Sequence, residues 1–130
     1  MLFRSDRPGI SKCARMALHK NINDSDVVTI YKVFKEDRYE HVKINASILL
    51  CSLSKWDAIR YIIELSSNKN EEVSKLGQRA LESWKQKYNQ SFTTPTYNQI
   101  EKIKKVLVNF GDGIRKNDRE FIEFSIKDFC

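Results

Sequence analysis

Apolar residues recur along most of this chain at intervals of three and four, the signature of helices with one buried face. Val27, Ile30, Tyr31 and Phe34 make one such stripe, and Ala58, Ile62 and Leu65 make another. A third runs through Val42, Ala46, Leu49, Leu50 and Leu53, and a fourth through Val73, Leu76, Gly77, Ala80, Leu81 and Trp84. Short polar residues stand just ahead of each. Asn23-x-x-Asp26 and Ser54-x-x-Asp57 have the form of a capping box, and Asp37-x-x-Glu40 and Asn68-x-x-Glu71 repeat the signal. Such a residue satisfies an orphan backbone N–H, and an acid in the first turn complements the helix dipole. The pattern predicts helices over about 24 to 36, 38 to 53, 55 to 67 and 69 to 87.

These four helices read as two copies of one pair. With residue 26 set over residue 57, an offset of 31, Asp26 falls on Asp57, Val28 on Ile59, Tyr31 on Ile62 and Phe34 on Leu65. At the same offset Glu40 falls on Glu71, Val42 on Val73, Ala46 on Gly77, Leu50 on Leu81 and Leu53 on Trp84. The position held by Ala46 and Gly77 is small in both copies. A glycine inside a helix costs about 1 kcal/mol against alanine, so a close helix crossing is the reason to expect one there.

The flanks carry partial or different patterns. Ile10, Ala14, Leu18 and Asn21 stand 32 residues before Val42, Ala46, Leu50 and Leu53, and Asp6 and Pro8 supply a helix start. Residues 10 to 20 thus read as the second helix of a pair whose first is missing. A repeat cannot bury its apolar face alone. The expectation is therefore the C-terminal part of a longer repeat protein, with an open face through which residues 1 to 20 can self-associate. Downstream, residues 89 to 95 read as a loop. Thr94-Pro95, or Thr96 with Gln99, starts a helix bearing Ile100, Ile103, Val106, Leu107 and Phe110, and Gly111-Asp112-Gly113 ends it as a C-cap. Asn117-x-x-Glu120 opens a last helix with Phe121, Ile122, Phe124, Ile126 and Phe129. This divides the chain into helical repeats over 1–95 and capping helices over 96–130.

The repeat unit resembles the HEAT-like repeats, and in its 31-residue length the shorter type named for phycobilisome lyases. The resemblance lies in Glu40-His41-Val42 with Ala46 and Leu50, and in Glu71-Glu72-Val73 with Gly77 and Leu81, and it covers about residues 6 to 88. A basic residue often follows the valine; Lys43 keeps it and Ser74 departs from it. The resemblance implies an all-α fold, an α-α superhelix (HEAT-like solenoid) with a C-terminal helical cap. Such arrays serve many roles, and some in DNA-repair glycosylases bind DNA.

Composition narrows the functional classes. The chain has 130 residues, 41% hydrophobic and 31% charged, with four Gly and two Pro. Those figures exclude disordered, collagen-like and linker classes. The longest apolar run, Ile48-Leu49-Leu50-Cys51, is far below the roughly 20 residues of a membrane span. Cys13, Cys51 and Cys130 form no CxxC pair and no ligand set with His19 or His41, which fits reduced thiols in a cytoplasmic protein. No phosphate-binding, zinc-protease or nucleophile-elbow motif is present, so no catalytic residue, metal or cofactor is expected.

The net charge of +6 sits at the flanks: +4 over residues 1–20 and +4 over 85–105, with −1 over 21–84 and −1 over 106–130. The first reading is a non-catalytic scaffold that binds a protein partner along outward positions of the second helices, at Lys43, Ser47, Ser74 and Gln78. Trp56, in a first helical turn, is a further interface candidate, with packing against the preceding helix as its other reading. The alternative is a nucleic-acid-binding module in which Lys12, Arg15 and Lys20, with Lys102, Lys104 and Lys105, grip phosphates. No aromatic residue interleaves those clusters for base stacking, and solvated lysine faces also account for them.

Overall fold

The computed structural model describes residues 4, 6–18, 22–90, 93–127 and 129, and among them every regular element is helical. In chain order these are α1 (Pro8–Leu18), α2 (Asp24–Glu36), α3 (Glu40–Cys51), α4 (Lys55–Ser66), α5 (Glu71–Gln86), α6 (Tyr97–Phe110) and α7 (Lys116–Lys127). Short 3-10 turns occupy Tyr88–Gln90 and Gly111–Gly113. The chain forms two compact units, Met1–Leu53 and Ser54–Cys130. The boundary expected at residue 95 falls inside the second unit, which holds α6 and α7 together with α4 and α5.

In the first unit α3 packs along both α2 and α1. Ile30, Val33 and Phe34 of α2 and Val42, Ala46, Leu49 and Leu50 of α3 are buried. The Asn45 amide donates to the Ser11 hydroxyl at 2.6 Å, a buried polar tie between α3 and α1. Two buried polar groups thus satisfy each other, which avoids the cost of an unpaired one. Pro8 is the first residue of α1, where its missing N–H costs nothing. Lys20 and Asn21 lie outside the described residues.

In the second unit α5 packs along α4, and α6 packs on α4 as well. The backbone of α5 comes close to that of α4 at Gly77. A Cβ placed there would stand 2.4 Å from Ser66 N and 2.7 Å from the Leu65 carbonyl carbon. These are backbone atoms, so the helices meet where α5 has no side chain. Helix α7 reaches α5 through Phe121, whose ring lies 6.1 Å from that of Trp84, and through a 2.7 Å ion pair between Lys85 and Asp118. In the second unit α4 and α5 therefore form a pair, on which α6 rests through α4 and α7 through α5.

Helix starts follow the predicted punctuation at α2 and α6 and depart from it elsewhere; Asn117, expected to open the last helix, lies inside α7, which starts at Lys116. Asn23 and Asp26 form a complete capping box on α2, and Thr96 and Gln99 form one on α6. Ser54 does not cap α4; its hydroxyl donates to Asp57 Oδ2 instead. Helices α3 and α5 each begin two residues later than predicted, at Glu40 and Glu71. In both, the residue read as the cap makes a turn just ahead of the helix. Asp37 Oδ1 accepts from the Tyr39 N–H at 2.9 Å, and Asn68 Oδ1 accepts from the Asn70 N–H at 2.8 Å. These are Asx turns, and they fall at the same repeat position in the two copies.

The glycines of the Gly111–Gly113 turn do not supply left-handed caps, because no described glycine has a positive φ. Gly113 is needed for closeness instead: its Cβ would fall 2.3 Å from Ser67 Cβ, where the turn meets the end of α4. On α7, Ile122 and Ile126 are buried as expected, whereas Phe124 points outward and is 73% exposed.

Candidate interaction face

The five residues proposed for partner contact divide by burial. On α3, Lys43 is half-buried, while Ser47 is fully buried and donates its hydroxyl to the Lys43 carbonyl at 2.8 Å. That i−4 bond lets a serine sit in a core. Ser47 is therefore not an outward contact residue. The reason is that α3 has neighbours on two sides, so burial extends well beyond one stripe and takes in Val42, Asn45, Ala46, Ser47, Leu49 and Leu50.

On α5, Ser74 and Gln78 stand at the positions equivalent to Lys43 and Ser47. Gln78 is exposed and donates to Ser74 Oγ at 3.1 Å, and Ser74 in turn donates to the Ser66 carbonyl at 2.9 Å. This chain of bonds ties the start of α5 to the end of α4 and orients the Gln78 amide. The expected face thus retains Lys43 in the first unit and Ser74 with Gln78 in the second.

Trp56 is also withdrawn from the surface, at 4% exposure. Its indole N–H donates to the Thr93 carbonyl at 2.8 Å, and its ring meets those of Trp84, Tyr88 and Phe129 edge-on at about 6 Å. The ring is packed, but the partners named all lie later in the chain, whereas the expectation is packing on the preceding helix. The Trp84 indole donates to the Lys55 carbonyl at 2.9 Å, so both indoles are satisfied. Lys55 closes the cluster. Its ammonium donates to the Tyr88 carbonyl at 2.7 Å and lies 3.6 Å from the Tyr88 ring centroid. Burial of that ammonium pulls its pKa below the usual lysine value. Aromatic spacing alone does not show such a cluster, because Trp56, Trp84, Tyr88 and Phe121 lie on four separate elements.

The basic candidates lie in both units. On α1, Lys12 is exposed and Arg15 is half-buried, its Nε enclosed without a hydrogen-bond partner. On α6, Lys102 and Lys105 are exposed, and Lys104 lies 3.7 Å from Glu101 on the next turn. A cleft of about 500 Å³ lies at the turn between α2 and α3. Arg4, Glu36, Asp37, Arg38 and Tyr39 line it. Arg4 donates to Asp37 at 3.3 Å and Arg38 lies 4.8 Å over the Tyr39 ring, so its charges are largely spent within the protein.

Among the described residues no group of three or more His, Cys, Asp or Glu could hold a metal ion. No described helix is long and apolar enough to cross a membrane. Burial pushes the Cys51 thiol pKa up to about 12.

Fold and site together define an all-α protein, with Lys43 half-buried on α3 and Ser74 and Gln78 side by side on α5. No family model, curated protein or solved structure matches the chain.

Proposed function

We propose that the chain is a non-catalytic HEAT-like repeat module, part of an α-solenoid, that binds a protein partner along α3 and α5. The observation that carries this reading is the recurrence of one helix pair at an offset of 31, down to the Asx turns at Asp37 and Asn68. Within the second unit, α6 rests on α4, and α7 reaches α5 through Phe121 against Trp84. Stacked pairs of this kind present the outer sides of their second helices as an extended surface. Lys43 is the side chain that α3 offers in the first unit, and Ser74 with Gln78 are those that α5 offers in the second.

The test is a pull-down with the full chain against variants carrying Lys43→Glu and Gln78→Glu, both at positions outside the core. Loss of the same specific partner from both variants supports the reading. An unchanged partner set overturns it. Mobility-shift titrations with duplex and single-stranded DNA and RNA at two salt concentrations address the alternative. Phosphate contacts give affinity that falls steeply with salt, and binding of that kind, lost with Lys12→Glu or Lys105→Glu, would replace the protein-partner reading.

A further inference from the structure

Helix α6 carries two strongly exposed apolar side chains, Tyr97 at 76% and Val108 at 79% exposure. Its buried face, Ile100, Ile103 and Leu107, is turned into the protein where α6 packs on α4. Tyr97 and Val108 are therefore not part of that core. They belong to a second stripe, Tyr97, Glu101, Lys104 and Val108, with spacings of four, three and four residues. That is the spacing of a coiled-coil seam. It spans roughly three turns, about 16 Å of helix.

The order of residue types along this stripe is apolar, acidic, basic, apolar. Reversed, it reads apolar, basic, acidic, apolar, which is its own complement. We propose that a second copy of this chain packs antiparallel on α6, about a two-fold axis passing between Lys102 and Ile103. The axis sets Tyr97 opposite Val108 of the second copy and Glu101 opposite its Lys104. Each contact then occurs twice, as an isologous interface requires. Within one chain Glu101 and Lys104 already lie 3.7 Å apart. Pairing closes them into a ring of four charges with alternating sign, flanked at each end by a tyrosine on a valine.

A partner of unrelated sequence would not require a pattern symmetric about its own midpoint; a second copy does. The flanking residues permit the approach. Asn98 and Lys105 lie on the outer side of the stripe, and the axis brings Asn98 rather than Lys105 near Lys105 of the other copy. The seam is short, far below the roughly 1,200 Å² buried by a standard interface. The dimer is accordingly weak and forms by mass action. This inference is independent of the partner-binding reading, which concerns α3 and α5.

The test is sedimentation equilibrium of the full chain from about 20 μM to 1 mM, a range suited to small interfaces. Wild type gains mass with concentration toward twice 15.3 kDa. Glu101→Lys and Lys104→Glu each place like charges across the axis, and each alone stays at monomer mass over the same range. Mixed in equal amounts, the two variants restore every opposite-sign pairing, so the mixture gains mass as wild type does. The double exchange Glu101→Lys with Lys104→Glu also restores it. Circular dichroism of each variant checks that the helices are intact. A wild-type mass independent of concentration would overturn the proposal. So would a mixture that stays monomeric while wild type dimerises, since that would place the dimer contact elsewhere, for example on residues 1 to 20.

Discussion

Gly77→Ala separates two accounts of why a glycine occupies the middle of α5. Helix propensity alone favours alanine by about 1 kcal/mol, so the substitution would stabilise. The packing says the opposite. The added Cβ would stand 2.4 Å from Ser66 N, 2.7 Å from the Leu65 carbonyl carbon and 2.8 Å from Ser66 Cα. Ordinary contacts of this kind lie near 3.5 Å, so α4 and α5 must part by roughly 1 Å. No rotamer change relieves this, because all three atoms belong to the backbone. Overpacking a core costs about 1–3 kcal/mol, and three simultaneous backbone contacts place this case at the upper end. After the propensity gain is subtracted, a net loss of about 2 kcal/mol remains. For a domain of this size that lowers the Tm by roughly 10 °C. Urea unfolding followed by far-UV circular dichroism measures it, with an unchanged m-value showing that stability rather than compactness has altered. The matched substitution is Ala46→Gly, at the equivalent and fully buried position of α3. It removes a packed methyl and adds backbone freedom, so it also destabilises, by about 1–2 kcal/mol. If Gly77→Ala raised the Tm, the close crossing of α4 and α5 would be wrong.

Trp56→Ala removes the ring that meets Trp84, Tyr88 and Phe129, and should cost about 3–5 kcal/mol in urea unfolding. Trp56→Phe keeps a ring and loses the bond to the Thr93 carbonyl, for about 1 kcal/mol; a change under about 0.5 kcal/mol in the alanine variant would return Trp56 to the surface. Cys51, studied with Cys13→Ser and Cys130→Ser in place, should react with a thiol reagent at pH 8 only as fast as the protein opens. Its thiol pKa, raised by burial from 9.0 to about 12, leaves almost no thiolate in the folded state. An urea-independent rate equal to that of free cysteine would contradict its burial. The hydrogen bond from Lys85 to Asp118 raises the lysine pKa above 10.5. Its stabilising effect is present below that value and is lost as pH rises through the folded-state pKa. Lys85→Met should flatten the alkaline limb of stability against pH, and an unchanged limb would show that the ion pair does not couple α5 to α7.

What could be read in the sequence was local. Helices α2 to α5 follow from apolar spacing, and the caps at Asn23 and Thr96 from a short polar residue three positions before its partner. The two-residue shift at α3 and α5 has a definite cause. An Asp or Asn side chain can cap a helix or close an Asx turn just before one, and Asp37 and Asn68 do the second. Both readings use the same residue types at nearly the same spacing. Only the tertiary arrangement chooses between them.

The errors at the candidate face were non-local. Ser47 and Gln78 share a repeat position, yet one is fully buried and the other exposed. A helical wheel shows which side of α3 is apolar, but not that α1 and α2 both pack against it. Trp56 is held by Thr93 and Phe129, far along the chain from it. Gly113 is set by the approach of Ser67 and not by backbone dihedrals, and that approach is equally remote in sequence.

The α6 stripe completes the contrast, because all four of its residues were in view from the start. Ile100, Ile103 and Leu107 by themselves supply a sufficient core face, so spacing alone leaves Tyr97 and Val108 as scattered surface residues. The packing of α6 on α4 fixes which face is spent and turns the two remaining apolar residues into ends of one seam. The same step changes the meaning of the basic surplus at residues 85–105. Lys104 is half of an alternating charge pattern with Glu101, not a free phosphate ligand, while Lys85 is held by Asp118. Part of the charge that first suggested a polyanion is therefore engaged within the helical assembly itself.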